Sequence, residues 1–292
     1  MRILVLGPNG QLGGDLMDAA AGDARFSATG VGRDAVDVAD ADALRAFLAA
    51  ADFDALVNCT SYHKTDEVET HADLAMAINA KAPAAMAEVC ADRRARFLHV
   101  STDYVFGGDA GRATPLTEAD PTAPVNVYGL SKQFGETLVG LTGCDATMFR
   151  VASLFGVRGA SGKGGNFVET MIRFGREKGA LKVVDDQVMS PTATAFIARA
   201  ILAFLAAGGP AGVYHCVNTG AVSWAGFARR IVERCGIAAT VTPCATSDWP
   251  TPARRPAYSV LDNRKLAGVI GPIEGWEAAL DAYLAAKGHI HG

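Results

Sequence analysis

Glycines at positions 7, 10 and 13 follow an apolar run, Ile3-Leu4-Val5-Leu6, and open a stretch of helical pattern that ends near Ala21. A short continuous apolar run fits a strand buried on both faces. A strand that turns through spaced glycines into a helix leaves few folds open. Gly7 allows the tight turn, Gly10 lets a phosphate approach the backbone, and Gly13 permits close packing of the helix. The first turn of that helix offers free N–H groups and the positive end of its dipole, which suits a pyrophosphate. The segment therefore reads as the start of a dinucleotide-binding unit.

The rest of the chain repeats the alternation. Strands are expected at Phe26 to Val31, Ala55 to Asn58, Arg96 to Val100 and Ala146 to Val151. Helices are expected at Asp42 to Ala51, at Ala72 to Ala91 with a break near Pro83, and at Tyr128 to Val139. Such alternation predicts an α/β fold, a Rossmann-type doubly wound parallel sheet. Ligands bind such sheets at the carboxyl ends of the strands, so Gly7, Asn58, Ser101 and Arg150 should converge. After Gly156 the pattern loosens. A Gly-rich loop runs from Arg158 to Asn166, helices are expected at Phe167 to Lys178, Pro191 to Leu205 and Trp224 to Cys235, and Trp249 to Pro256 is too Pro-rich for helix. We expect residues 1–155 to bind the dinucleotide, with later segments near 185–215 returning to that domain. Residues 156–292 should form mainly a smaller α/β substrate-binding domain.

Composition narrows the class. Half of the 292 residues are hydrophobic, enough for a large core. A net charge of -4 gives no basic groove for nucleic acid and no polybasic membrane patch. No apolar stretch reaches the length of a membrane span. The six cysteines form no CxxC and no metal-ligand spacing, which predicts mostly buried, reduced thiols in a cytoplasmic protein and no metal site.

Tyr128 and Lys132 stand four apart, after a Ser101-Thr102 pair that ends an apolar run. At that spacing they share one helix face. An ammonium should pull the phenol below its usual range, so that Tyr128 can pass a proton to or from a carbonyl oxygen. The Thr102 hydroxyl can hold the same oxygen. Tyr283 and Lys287 repeat the spacing on an Ala-rich helix with no such strand before it, and read as a solvated face. His71, His99 and His215 read as core or surface groups, and His289 and His291 as part of a loose tail. Beyond Gly13, Asp34 and Asp37 can take a ribose hydroxyl and Arg33 a 2′-phosphate. NADH and NADPH both stay open as cofactors.

With these pieces placed, the chain resembles the extended short-chain dehydrogenase/reductases, and within them the dTDP-4-dehydrorhamnose reductase family. The resemblance rests on GPNGQLG at 7–13, STDYVF at 101–106, NVYGLSK at 126–132, GKGGNF at 162–167, DDQVMSPT at 185–192 and TPARRP at 251–256. It implies that Gly10, Gln11 and Leu12 contact the pyrophosphate, that Asp37 and Val38 lie by the adenine, and that Ser61, Tyr62, His63 and Val100 border the nicotinamide half. It implies that Thr102 and Asp103 meet the sugar, that Tyr128 is the proton donor and that Lys132 binds the nicotinamide ribose. Asn166, Arg254 and Arg255 would anchor the nucleotide base and diphosphate. The reaction implied is hydride transfer from NAD(P)H to the C4 ketone of a nucleotide-linked 4-keto-6-deoxy sugar, in a possible homodimer.

Two segments depart from the family pattern. Ser61-Tyr62-His63 replaces the usual Ala-Tyr-Thr or Ala-His-Thr. A tryptophan common after the strand ending at Arg150 is absent, and Ser153 stands at or near its position. A reductase or epimerase of another such sugar is the rival reading, and a non-catalytic dinucleotide-binding relative a more distant one.

Overall fold

The structure is a computed structural model that describes residues 1–158 and 165–291. Gly162 to Gly164, part of the GKGGNF match, and most of the Gly-rich loop after Arg158 lie outside the described residues.

The apolar runs form a parallel sheet. Its first five strands are β1 (Arg2–Leu6), β2 (Ser27–Val31), β3 (Ala55–Asn58), β4 (Arg96–Thr102) and β5 (Ala146–Val151). A sixth strand, Gly212–His215, adds beside β5, and the spatial order runs Gly212–His215, β5, β4, β3, β1, β2. Every neighbouring pair is parallel. The chain leaves β1 toward β2 and then crosses back to β3, so the crevice at the carboxyl ends opens between β1 and β3.

Alternate side chains of β1 face opposite layers, as strand geometry requires. Ile3 and Val5 join a core that includes Leu16, Phe149 and Ile201. Leu4 and Leu6 join a second core with Leu44, Leu48, Met86 and Phe97. Burying each such side chain contributes roughly 1.5–3 kcal/mol, which is what holds helices on both faces. The helix α1 (Gln11–Ala21) lies on the first face against the Thr194–Ala206 helix. The Ala41–Ala50 helix lies on the other, its start fixed by Asp40, whose carboxylate accepts from Asp42 N and Ala43 N.

The long helix expected across Pro83 does not break. It runs through a π-helical stretch, Ala77–Lys81, into Ala82–Arg93, with Pro83 in its first turn. Proline has no N–H to give the carbonyl four residues back, that of Asn79, so ordinary winding is interrupted there and the wide turn takes its place.

Beyond β5, the Phe167–Lys178 and Trp224–Arg234 helices cover a two-stranded parallel ribbon, Ala180–Val184 with Thr240–Cys244. Phe155, Phe167, Phe227, Trp276 and Tyr283 form an aromatic seam there, with ring centroids 5.4–5.8 Å apart in their contacting pairs. Tyr283 corrects the reading of a solvated face. It is 4% exposed, and its hydroxyl donates to Glu169 Oε1 at 2.5 Å. The tail is also tied down, because His289 N–H donates to Leu284 O and His289 Nε2 lies 3.0 Å from Glu169 Oε1. All six cysteines are free thiols, but only Cys90 and Cys216 are fully buried. No described helix is long and apolar enough to cross a membrane.

Candidate active site

The glycine turn is built for an anion. Gly7 takes φ +81°, which a side chain rarely adopts, and a Cβ on Gly13 would lie 2.1 Å from Gly7 O. Gly10 caps α1 with no side chain to occupy the first N–H groups. Gln11 Oε1 is buried there with no hydrogen-bond partner among the described residues. This cradle fits a dinucleotide pyrophosphate. Farther out, Arg33 and Asp37 are exposed, Asp37 Oδ1 accepts from Ala39 N at 3.0 Å, and half-buried Val38 packs on the second core.

At the end of β4 the chain enters a 3-10 turn, Asp103–Val105. Thr102 Oγ1 accepts from Tyr104 N at 3.2 Å and donates to Asp103 Oδ1 at 3.1 Å. The Val127–Gly140 helix packs directly against this turn, because a Cβ on Gly129 would lie 2.0 Å from Tyr104 O. Gly135 does the same for the π-helical stretch, 2.2 Å from Asn79 O. Asn126 caps the helix through Gly129 N at 2.8 Å, and its amide also donates to Arg254 O at 2.8 Å. One asparagine thus ties the Tyr128 helix to the 251–256 segment.

Tyr128 therefore comes close to the Thr102 and Ser61 hydroxyls, which favour its charged form. Its ring stands edge-on to Tyr104, 5.8 Å away. The expected downward pull by Lys132 is corrected here. Burial dominates and pushes the Tyr128 phenol up to about 12, against the two hydroxyls. Lys132 points away into the sheet, where Nζ donates to Val100 O at 2.6 Å and lies 3.0 Å from His99 Nε2. Burial lowers Lys132 to about 7, partly offset by Glu136. Glu136 is itself held by Arg150, NH2 to Oε2 2.6 Å, and accepts from Ser101 Oγ at 2.5 Å.

Three further residues complete this centre: Asn58, expected there as a strand end, and Asn79 and His99, which were not. Asn79 Oδ1 accepts from Tyr62 N at 2.8 Å and Ser61 Oγ at 3.2 Å, and its amide donates to Tyr62 O and Ser131 Oγ. It fixes the 61–63 segment, where His63 Nδ1 lies 3.3 Å from Ser61 O. Asn58 and His99 are buried behind Lys132, their side chains 3.0 Å apart. Polar groups inside apolar strands were the available signal, visible in Ala55-Leu56-Val57-Asn58 and Phe97-Leu98-His99-Val100.

Beside Tyr128, a crevice is lined by Asp103, Ser153, Gln187, Trp224 and Ser259. Asp103 is buried, with Oδ2 unpartnered among the described residues, and burial raises its carboxyl to about 6. Ser153 has φ +46°, so the backbone itself is turned at this wall. Arg255 reaches Asp66 at 2.9 Å, while Arg254 is exposed. Asn166 departs from the expected ligand role. Its amide is buried and spent inside the protein, donating to Gly156 O and Tyr283 Oη at 3.1 Å and accepting from Glu169 N. A separate open groove lined by Asp15, Asp18 and Arg199 lies on the α1 side and contains none of these residues.

The family model for the RmlD substrate binding domain matches residues 1–288. A dTDP-4-dehydrorhamnose reductase of Mycobacterium tuberculosis is 38% identical, over 98% of this chain and 93% of that protein. The crystal structure of a dTDP-4-dehydrorhamnose reductase from Clostridium acetobutylicum superposes with a TM-score of 0.91 at 34% identity, covering 99% of this chain and 100% of that one. That of a Bacillus anthracis reductase in complex with NADP gives 0.89 at 30% identity, covering 98% and 99%. A sheet switched between β1 and β3, a glycine cradle and a tyrosine facing two hydroxyls thus coincide with a match along almost the whole chain, which belongs to the dTDP-4-dehydrorhamnose reductase family.

Proposed function

We propose that this chain reduces the C4 ketone of dTDP-4-dehydro-L-rhamnose to dTDP-L-rhamnose, with NADPH or NADH as reductant. The observation that carries the reading is the placement of the Tyr128 phenol close to the Thr102 and Ser61 hydroxyls, at the end of the sheet where the glycine loop opens. When bound, the dinucleotide supplies the hydride. Gly7, Gly10, Gln11, Leu12 and Gly13 would hold its pyrophosphate, Arg33, Asp37 and Val38 its adenosine end, and Ser61, Tyr62, His63 and Val100 its nicotinamide side.

Tyr128 gives its proton to the ketone oxygen as that oxygen gains charge. A phenol at about 12 stays protonated at neutral pH and is ready as the acid. Thr102 orients the oxygen, and Asp103 and Ser153 border the sugar. Arg254 and Arg255 take the nucleotide diphosphate, for which an arginine fork is suited. On this reading residues 1–155 form the dinucleotide domain and most of 156–292 the substrate domain, in a cytoplasmic homodimer.

The test is nicotinamide oxidation with dTDP-4-dehydro-L-rhamnose, comparing the wild type with Tyr128→Phe. Turnover that disappears in a folded, cofactor-binding variant supports the assignment. A folded wild type that binds cofactor and does not turn over this sugar overturns it.

A further inference from the structure

His99 is fully buried, and both of its ring nitrogens face nitrogen atoms. Asn58 Nδ2 is 3.0 Å from Nδ1, and Lys132 Nζ is 3.0 Å from Nε2. A third residue decides which ring nitrogen carries the proton. Thr60 N–H lies 2.9 Å from Asn58 Oδ1, and the Thr60 hydroxyl 2.6 Å from the same oxygen. A backbone N–H can only donate, so the Asn58 oxygen must face Thr60 and its NH2 must face His99. Nδ1 is then the acceptor, and the single proton of the neutral ring sits on Nε2, aimed at Lys132. An imidazolium is disfavoured as well, because burial and the neighbouring lysine push His99 well below its usual range. Lys132 Nζ already donates to Val100 O. A neutral amine has a lone pair to accept from Nε2–H, and an ammonium has none.

We propose that His99, oriented by Asn58 and Thr60, is a positioning residue that couples the charge of Lys132 to its place. The neutral amine is held back against β4. The ammonium meets an N–H, loses that contact and moves toward the Tyr128 side of the cleft. No proton passes through His99. Lys132 takes its proton from solvent or from the Tyr128 side, and Nε2 keeps its own. The ionisable groups that face Lys132 are Glu136 on its own helix, Cys59 after β3 and His99 on β4. Glu136 favours the ammonium and burial opposes it, leaving Lys132 at about 7, within the working range of a cytoplasmic enzyme. The kinetic consequence rests on the reductase reading, whereas the tautomer and the titration belong to the protein alone.

The experiment is NMR of the 15N,13C-labelled full chain without cofactor, read at the His99 ring nitrogens and at Lys132 Cε across pH. The wild type should show the Nε2–H tautomer and a Lys132 midpoint at about 7. In Asn58→Asp one oxygen still accepts from Thr60 and the other demands Nδ1–H. Nε2 then becomes an acceptor for the ammonium. The tautomer should invert and the midpoint should rise by roughly 1–3 units. Asn58→Asp also adds charge, so it is repeated in a His99→Gln background, where no tautomer can invert. The rise should be smaller there. An Nδ1–H tautomer in the wild type, or an equal rise in both backgrounds, overturns the inference. Should His99→Gln not fold, the wild-type tautomer and the response of Asn58→Asp still decide. In turnover assays the acidic limb of kcat should move with the Lys132 midpoint. A merely structural role would lower the denaturation midpoint and leave that limb in place. Should the NMR result hold while the dTDP sugar is not reduced, the reductase reading has failed and this one has not.

Discussion

Glu136 and Arg150 form a buried ion pair, Oε2 to NH2 2.6 Å, one helical turn beyond Lys132. Their side chains are 8% and 6% exposed, so neither charge has water to fall back on. Removing one partner of such a pair leaves the other uncompensated, which costs about 3–5 kcal/mol. Glu136→Gln should lower the free energy of unfolding by that order, measured by urea denaturation at neutral pH. A change below about 1 kcal/mol would mean that water reaches Arg150.

Gly129 and Gly140 lie on the same helix and should respond oppositely to alanine. At Gly129 the new methyl would meet Tyr104 O at 2.0 Å, while at Gly140 no atom of the described residues lies within 4 Å. Gly129→Ala should destabilise by about 1–3 kcal/mol and cut kcat, because Tyr128 moves with the helix. Gly140→Ala should be neutral or stabilising by up to about 1 kcal/mol. Thermal melts and steady-state rates on the pair separate steric from propensity effects.

Thr102 caps the Asp103–Val105 turn, and its hydroxyl lies close to the Tyr128 phenol. Thr102→Val should therefore cost about 1 kcal/mol of stability and slow turnover. Thr102→Ser keeps the hydroxyl and should restore most of both. Rescue of stability without rescue of rate would separate the cap from the chemistry.

Asp103 gives a pH signature. Its folded carboxyl is raised to about 6, above the ordinary carboxylate value, so the folded state binds more protons than the unfolded one between pH of about 4 and 6. Stability must then fall as pH rises through that window, by about 3 kcal/mol, and stay low above it. Asp103→Asn removes the titration. Relative to the wild type it should gain stability at neutral pH, and the gain should shrink below a pH of about 4. Denaturant unfolding at both pH values measures the difference.

The fold was legible because its strands are apolar runs with clear ends, and β3, β5 and the Phe167–Lys178 helix coincide with the sequence reading. Spacing alone was a poorer guide. Tyr128 and Lys132 share their separation with Tyr283 and Lys287, yet one tyrosine meets two hydroxyls and the other is locked to Glu169 and Asn166. Periodicity assigns a face, and only tertiary packing says what lies opposite it. The direction of the Tyr128 shift was missed for the same reason. A helical neighbour suggested attraction, but the lysine chain is long enough to reach Val100 O on the next layer instead. Asn79 was invisible because its partners, Tyr62 and Ser131, come from distant parts of the chain.

The wide turn at Ala77–Lys81 carries one more residue per turn than regular winding needs. Excising a single residue there would let ordinary winding close the turn, so the flanking halves would keep their faces while the residues inside the turn were re-aimed. Asn79 would then swing away from Tyr62 and Ser131, and its carbonyl would leave the contact that keeps Gly135 bare. Along this stretch the chain should therefore accept substitution on its outer side far better than any change of length.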